Sequence, residues 1–534
     1  MASMRNLLVI SFLLACRIFA QQAAGFDVLI TGGRVVDGTG APWYRADVGI
    51  RGDRVAAIGL LEDAQAVLRL DARGLVVAPG FIDIHTHARR GIFHTPSAEN
   101  YVRQGVTTLI EGQDGSSPLP LGEFLRKVAA LPPAVNFAML AGQGSIREAV
   151  MGRENRPAAP QEIERMKQLV RQAMYEGAFG LSTGLFYVPG NYTPTEEVIA
   201  LAREAGRLGG IHISHMRDEA AGILDSVRET IRIGEEGGLP TQLTHHKIVG
   251  AGNWGRSRDT LRLVEEARAR GVDVTIDQYP YTASSTASSA LIPQWAQAGG
   301  RKVLLERLRD AGLRARIKAE VVKRILEDRG GGHPKNVVFA NCAFDPALAG
   351  KNLAELTQQR GREPTPEDAA EVLLEIEERG GCQTIYHAIA EEDVERIMRS
   401  PFTMVASDGE IPAFGEGAPH PRSYGTFARV LGRYVRERKL LSLEEAIHKM
   451  TSFPAARLGL HDRGLLKPGM YADVVVFDPA TVTDRATFTA PHQYAEGFRY
   501  VLVNGKPVLL DGRMTAERPG RVLYGPAWRG PGPR

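Results

Sequence analysis

Eight apolar segments, each long enough for one strand, recur at 80–86, 107–112, 136–142, 178–183, 210–216, 241–246, 272–279 and 403–408. Most are separated by helical stretches, among them 161–176, 196–208, 223–236 and 258–270. Strand–helix alternation repeated eight times predicts an α/β chain built around a (β/α)₈, TIM-like barrel. The interval 292–399 is too long for one strand–helix unit, so it reads as an insertion with its own helices. Long insertions after barrel strands often cover active sites, which makes this one a candidate lid.

The two ends of the chain have a different texture. In 26–79, short alternating runs such as Asp27-Val28-Leu29-Ile30 and Arg34-Val35-Val36 flank the Gly32-Gly33 pair. Such spacing suits a small antiparallel sheet. The same pattern returns in 467–527, where Tyr500-Val501-Leu502-Val503 runs into Asn504-Gly505, a strong hairpin signal. The expected organisation is a barrel over 80–466 and a small β-sandwich assembled from 26–79 and 467–527.

Charge narrows the function classes. The chain carries 65 basic and 62 acidic residues and a formal net charge of +3, with no basic stripe, which argues against nucleic acid. A small-molecule substrate is the expected partner. Oligomeric state is not readable. Residues 1–20 resemble an export signal: Arg5, an apolar run from Leu7 to Ala15, and Ile18-Phe19-Ala20 ahead of Gln21. That run is too short to span a bilayer well, and no later segment reads as transmembrane. The expectation is an exported protein, periplasmic or secreted. Leu13-Leu14-Ala15-Cys16 is also a loose lipobox, with lipid anchoring through Cys16 as the second option. Cys342 and Cys382 remain after removal of the signal; a disulfide between them is permitted in an exported protein but not required.

The polar residues fall where barrel enzymes keep their chemistry. His85 and His87 end the first strand, Asp114 follows the second, His215 ends the fifth, His245 the sixth and Asp408 the eighth. Catalytic groups in such barrels come from the C-terminal ends of several strands. Residues two apart on a strand share a face, so His85 and His87 can serve one metal. Each residue alone has a bland explanation, such as a satisfied core histidine or, for Asp408, a cap before Gly409. Together they make a metal site. Imidazole and carboxylate suit Zn²⁺, which polarises a carbonyl and acidifies water.

At these residues the chain resembles a known family. Gly80-Phe81-Ile82-Asp83-Ile84-His85-Thr86-His87 is similar to the first-strand signature of the amidohydrolase superfamily. The stretches from Ala178 to Leu185 and from His215 to Glu219, with His245-His246-Lys247 and Ser407-Asp408-Gly409, resemble its N-acyl-D-amino-acid deacylase (D-aminoacylase) branch. Val501-x-Val503-Asn504-Gly505 resembles the closing hairpin, and the likeness runs from about Phe26 to Tyr524. It implies a barrel plus a β-sandwich from both termini, one or two zinc ions or another divalent metal, and hydrolysis of a linear amide in a carboxylate-bearing substrate. It assigns His85 and His87 to one metal position and His215 and His245 to the other. Asp408 becomes both a metal neighbour and the general base that later protonates the leaving amine. Substrate contacts are implied for Tyr187, Lys247, Tyr279, Ser285 and Arg422, with Lys247 and Arg422 on the carboxylate.

Two departures stand out. The family's bridging cysteine, in a Gly-Asn-Cys-Gly pattern, is replaced in Gly112-Gln113-Asp114-Gly115 by Asp114, with Glu111 as an alternative bridge. A hard carboxylate in place of a thiolate opens the site to Mn²⁺ or Fe²⁺. Ala88-Arg89-Arg90 stands where the family often has acidic residues, which bears on substrate preference. Three competing readings are a metallo-dipeptidase or carboxypeptidase, a cyclic-amide hydrolase and a non-catalytic barrel scaffold. The fourth strand has no lysine to carbamylate, which counts against the cyclic-amide class, and the intact ligand set counts against the scaffold.

Overall fold

The computed structural model describes residues 25–530; the segment read as an export signal and Cys16 lie outside the described residues. The barrel strands are β1 (Phe81–Asp83), β2 (Val106–Glu111), β3 (Asn136–Met139), β4 (Gly180–Gly184), β5 (Ile211–His215), β6 (Thr241–Leu243), β7 (Val274–Gln278) and β8 (Thr403–Val405). β1, β2 and β3 pair in parallel. β3 resumes at Ala141–Gly142, and from there β4 to β8 pair in parallel order. A parallel bridge between Thr86 and Gly409 closes the ring of eight. β2 to β8 are wholly buried, as expected for parallel strands covered by helices outside and packed side chains inside.

The crossover helices show why the alternation was readable. In the helix Ile223–Gly237, Ile223, Val227, Thr230, Ile231 and Gly234 are buried at spacings of three and four, and Gly238 ends it in the left-handed conformation.

Both chain ends enter one nine-stranded mixed sheet. Its seam is Val474–Phe477, which lies antiparallel to Val76–Pro79 and so joins the two termini. Period-two alternation gives this strand two jobs: Val474 and Val476 enter the β-domain core, while Val475 and Phe477 enter the core shared with the barrel. The Asn504-Gly505 hairpin forms as expected, both residues at positive φ, between Phe498–Val503 and Lys506–Leu510.

The insertion begins earlier than 292. Its first strand, Ser284–Ala287, pairs with Gln383–Tyr386, which also pairs with Val337–Asn341. Helices such as Ala311–Glu327 and Pro366–Arg379 surround this sheet around a core of their own that includes Ile317, Phe339 and Leu373. A disulfide joins Cys342 to Cys382 within it. The helix Glu391–Arg399 packs on β7 and β8, so it belongs to the barrel rather than to the insertion. Among the described residues, no helix is long and apolar enough to cross a membrane.

Candidate metal centre

The C-terminal ends of the strands converge on Asp114. His85 Nε2 and His87 Nε2 lie 3.4 Å apart, and Asp408 Oδ1 is 3.4 Å from the first and 3.0 Å from the second. Asp114 Oδ2 is 3.4 Å from His87 Nε2. Its Oδ1 is 3.3 Å from His245 Nε2, 3.6 Å from His85 Nε2 and 3.7 Å from His215 Nδ1. Two ligand clusters result, His85, His87, Asp114 and Asp408 on one side and Asp114, His215 and His245 on the other. Asp114 is common to both, offering one oxygen mainly to each. Its Oδ1 is buried without a hydrogen-bond partner. A buried, unpartnered carboxylate oxygen ringed by imidazole nitrogens fits a bound cation, which would remove the cost of leaving it unsatisfied.

The backbone is bent to bring these groups inward. Asp114, His245 and Asp408 all take positive φ, at 56°, 36° and 53°. Non-glycine residues rarely sit there, and such strain clusters at functional sites. The turn carrying Asp114 is packed so closely against β4 that a Cβ on Gly184 would collide with the Asp114 carbonyl.

Glu111, the alternative bridge, belongs to neither cluster. Its carboxylate accepts hydrogen bonds from the backbone N–H groups of Gly112 and Arg89, both at 2.8 Å. It therefore fixes the segment after His87, and the alternation of β2 could not reveal that.

A further ring of buried groups orients the ligands. Thr244 Oγ1 stands 2.5 Å from His85 Nδ1 and donates to Asp277 Oδ2. Asp277 also accepts from the His245 N–H at 2.7 Å. Asp83 accepts from the N–H groups of His85 and Ser407, which ties β1 to the end of β8. Glu219 Oε1 is 3.2 Å from His245 Nδ1, and its Oε2 is 3.6 Å from His215 Nε2. Arg329, from the insertion, pairs with Glu219 at 2.9 Å. A carboxylate behind a metal-binding imidazole fixes its orientation and tautomer. The sequence reading gave no role to Asp83, Asp277, Glu219 or Arg329. Glu219 had a signal, lying four residues past the histidine that ends β5. Arg329 had none, because it comes from the middle of the insertion.

The expected substrate contacts gather around the same mouth with one change of part. Lys247 lines the cavity, but its Nζ donates to Glu219 at 2.5 Å and to the His245 carbonyl at 2.9 Å. It positions His245 rather than standing free for an anion. Arg422 donates to Asp408 Oδ2 at 2.7 Å and to the Ser285 carbonyl at 3.3 Å. Burial works against ionisation of Asp408, yet Arg422 and His85 hold its carboxyl well below the usual carboxylate range. Tyr187 packs on His215 with ring centroids 4.6 Å apart, and its hydroxyl meets Thr286. Tyr279 packs between Lys247 and Arg422, its buried hydroxyl without a partner among the described residues. Ser285 and Gln383 of the insertion border a cavity of about 450 Å³ that opens over Asp114 and Asp408.

Comparison with known proteins agrees with this geometry. The model of the amidohydrolase family matches residues 70–509. The chain is 40% identical to a D-aminoacylase of Alcaligenes xylosoxydans xylosoxydans over 521 residues, covering 93% of this chain and 97% of that protein. It is 39% identical to an N-acyl-D-glutamate deacylase of the same organism over 519 residues, 93% of this chain and 96% of that one. A crystal structure of N-acyl-D-glutamate deacylase from Bordetella bronchiseptica, complexed with zinc and a phosphonate inhibitor, superposes with a TM-score of 0.80. That protein is 37% identical, and the match covers 94% of this chain and all of that one. The chain belongs to the amidohydrolase family, within its D-aminoacylase branch.

Proposed function

We propose that this protein is a zinc-dependent deacylase that hydrolyses N-acyl-D-amino acids to a carboxylic acid and a free D-amino acid. One observation carries the reading: four histidines and Asp408 gather around Asp114, whose buried Oδ1 has no hydrogen-bond partner, at the mouth of the barrel. The D configuration comes from the relatives.

His85, His87, Asp114, His215, His245 and Asp408 would hold the metal, as one ion or two. When bound, it supplies Lewis acidity at the scissile carbonyl and lowers the pKa of water. Asp408 is ionised at neutral pH, with Oδ2 held by Arg422 and Oδ1 free of that pair. At Oδ1 it takes the proton of the attacking water and then returns it to the leaving nitrogen; one carboxylate serves both steps within hydrogen-bond reach. Arg422 and Ser285 fix the substrate carboxylate, and a guanidinium suits this role. Tyr187 shapes the cavity beside them, and Tyr279 packs against Lys247 and Arg422. Lys247 and Glu219 keep His245 and His215 oriented. Export belongs to the same proposal: the N-terminal segment has the composition of a signal, and a disulfide persists most readily outside the cytosol.

The test is a panel of N-acetyl-D-amino acids, their L enantiomers and dipeptides, assayed with the zinc-loaded enzyme. The expected result is turnover confined largely to the D series. Turnover of dipeptides alone would replace the deacylase reading by a peptidase one.

A further inference from the structure

The charge at the cavity is balanced almost pair by pair. Arg422 is matched by Asp408, Lys247 and Arg329 by Glu219, and Arg153 by Glu148. Among the cations, Arg89 is the exception. Its guanidinium lines the cavity and donates only to neutral acceptors, the Ser116 carbonyl at 3.0 Å and Ser116 Oγ at 2.9 Å. Among the described residues no carboxylate forms an ion pair with it. Glu410, exposed on the same rim, forms no ion pair with Arg89, and its charge acts on Arg422.

Arg89 is held rather than trailing into solvent. It is half-buried, two residues beyond the ligand His87, and its own N–H is fixed by Glu111. Ser116 is equally fixed, two residues beyond Asp114, with its N–H donating to the Gln113 carbonyl. A guanidinium anchored on two neutral acceptors keeps other N–H groups available in a fixed plane, the geometry that receives a carboxylate. This wall comes from the segments after β1 and β2. The Arg422–Ser285 contact stands on the segments after β8 and β7, so the two cations are separate features of one cavity.

Resting on the deacylase reading, we propose that Arg89 and Ser116 form a second anion subsite, so that the preferred substrate carries a second carboxylate besides the one on its α-carbon. That group lies on the amino-acid side chain or on the far end of a dicarboxylic acyl group. Both are the same chemistry to a guanidinium.

Two paired comparisons separate these sources. One sets N-acetyl-D-glutamate against N-acetyl-D-glutamine; the other sets N-succinyl-D-alanine against its succinamoyl counterpart. Each pair keeps shape and removes one charge. The native enzyme should favour the diacid in one pair by about tenfold to a hundredfold in kcat/KM, the range of one charge-assisted contact. Arg89→Gln should bring that ratio close to one, and Arg89→Lys should retain part of it. The ratio is internal to each variant, so a general loss of activity does not imitate the result. If Arg89→Gln does not fold, Ser116→Ala should still reduce the ratio. Equal rates on diacid and amide in both pairs would overturn the subsite and leave the deacylase reading standing, as would an unchanged ratio in a folded Arg89→Gln enzyme. Hydrolysis of none of the four compounds would overturn the deacylase reading and the subsite with it.

Discussion

The floor and one wall of the same cavity are built on opposite principles. On the floor, at the ends of the barrel strands, His85, His215, His245 and Asp408 are buried, His87 and Asp114 partly so, and the charged groups behind them share several partners. Glu219 alone meets His215, His245, Lys247 and Arg329. The insertion's wall is looser. Ser285, Thr286 and Gln383 are half-buried, and the Gln383–Ser285 hydrogen bond is 3.3 Å long. Groups that handle protons and metal need fixed positions, because a small misplacement costs rate. Groups that choose among substrates can sit on a separately folded unit. The insertion has its own sheet, core and disulfide, and it meets the floor at particular points, Arg329 on Glu219 and the Ser285 carbonyl on Arg422.

The sharpest way to break this contrast is at Asp408. Asparagine keeps the shape and an acceptor for Arg422, and it tolerates the positive φ at this position. If Asp408 merely shaped the floor, Asp408→Asn would leave turnover intact. As the proton carrier, it should lose at least about a hundredfold in kcat, because an amide does not accept the proton at neutral pH. The protein should still melt as a folded species and keep the metal held by His215 and His245. Steady-state kinetics with metal analysis check this.

A smaller effect probes the border between floor and wall. Arg422 contacts both Asp408 and the Ser285 carbonyl. Arg422→Ala should slow all substrates through Asp408. It should slow free acids further than their methyl esters, by about ten- to a hundredfold, the worth of a contact of about 1.5–3 kcal/mol. Equal losses on acid and ester would confine Arg422 to the floor and remove it from substrate binding.

The floor was the more legible region in the sequence. A histidine or aspartate at the end of an apolar strand has few places to go, and the barrel ring sends those ends to one point. His85, His87, Asp114, His215, His245 and Asp408 therefore emerged together. Spacing did not decide between Glu111 and Asp114. The choice depends on a glycine-bounded turn, with Gly112 and Gly115 at positive φ, that carries Asp114 inward while Glu111 caps neighbouring amides. The wall was harder to read. The strand Ser284–Ala287 is short and polar, without the alternation that announces a half-buried strand, so the insertion seemed to start at 292. The resemblance put Lys247 on the substrate carboxylate, and its contact with Glu219 was not legible because the two lie 28 positions apart on different strand ends.

The account rests on the floor holding a catalytic metal, and metal removal tests that most directly. Protein stripped by a chelator and then titrated with zinc should show no hydrolysis of N-acetyl-D-amino acids at first. Activity should return as metal binds, with bound zinc measured in the same samples. His215→Ala should bind less zinc and recover less activity, since it removes one of the imidazoles around Asp114. Undiminished hydrolysis by protein shown to be free of metal would contradict the account.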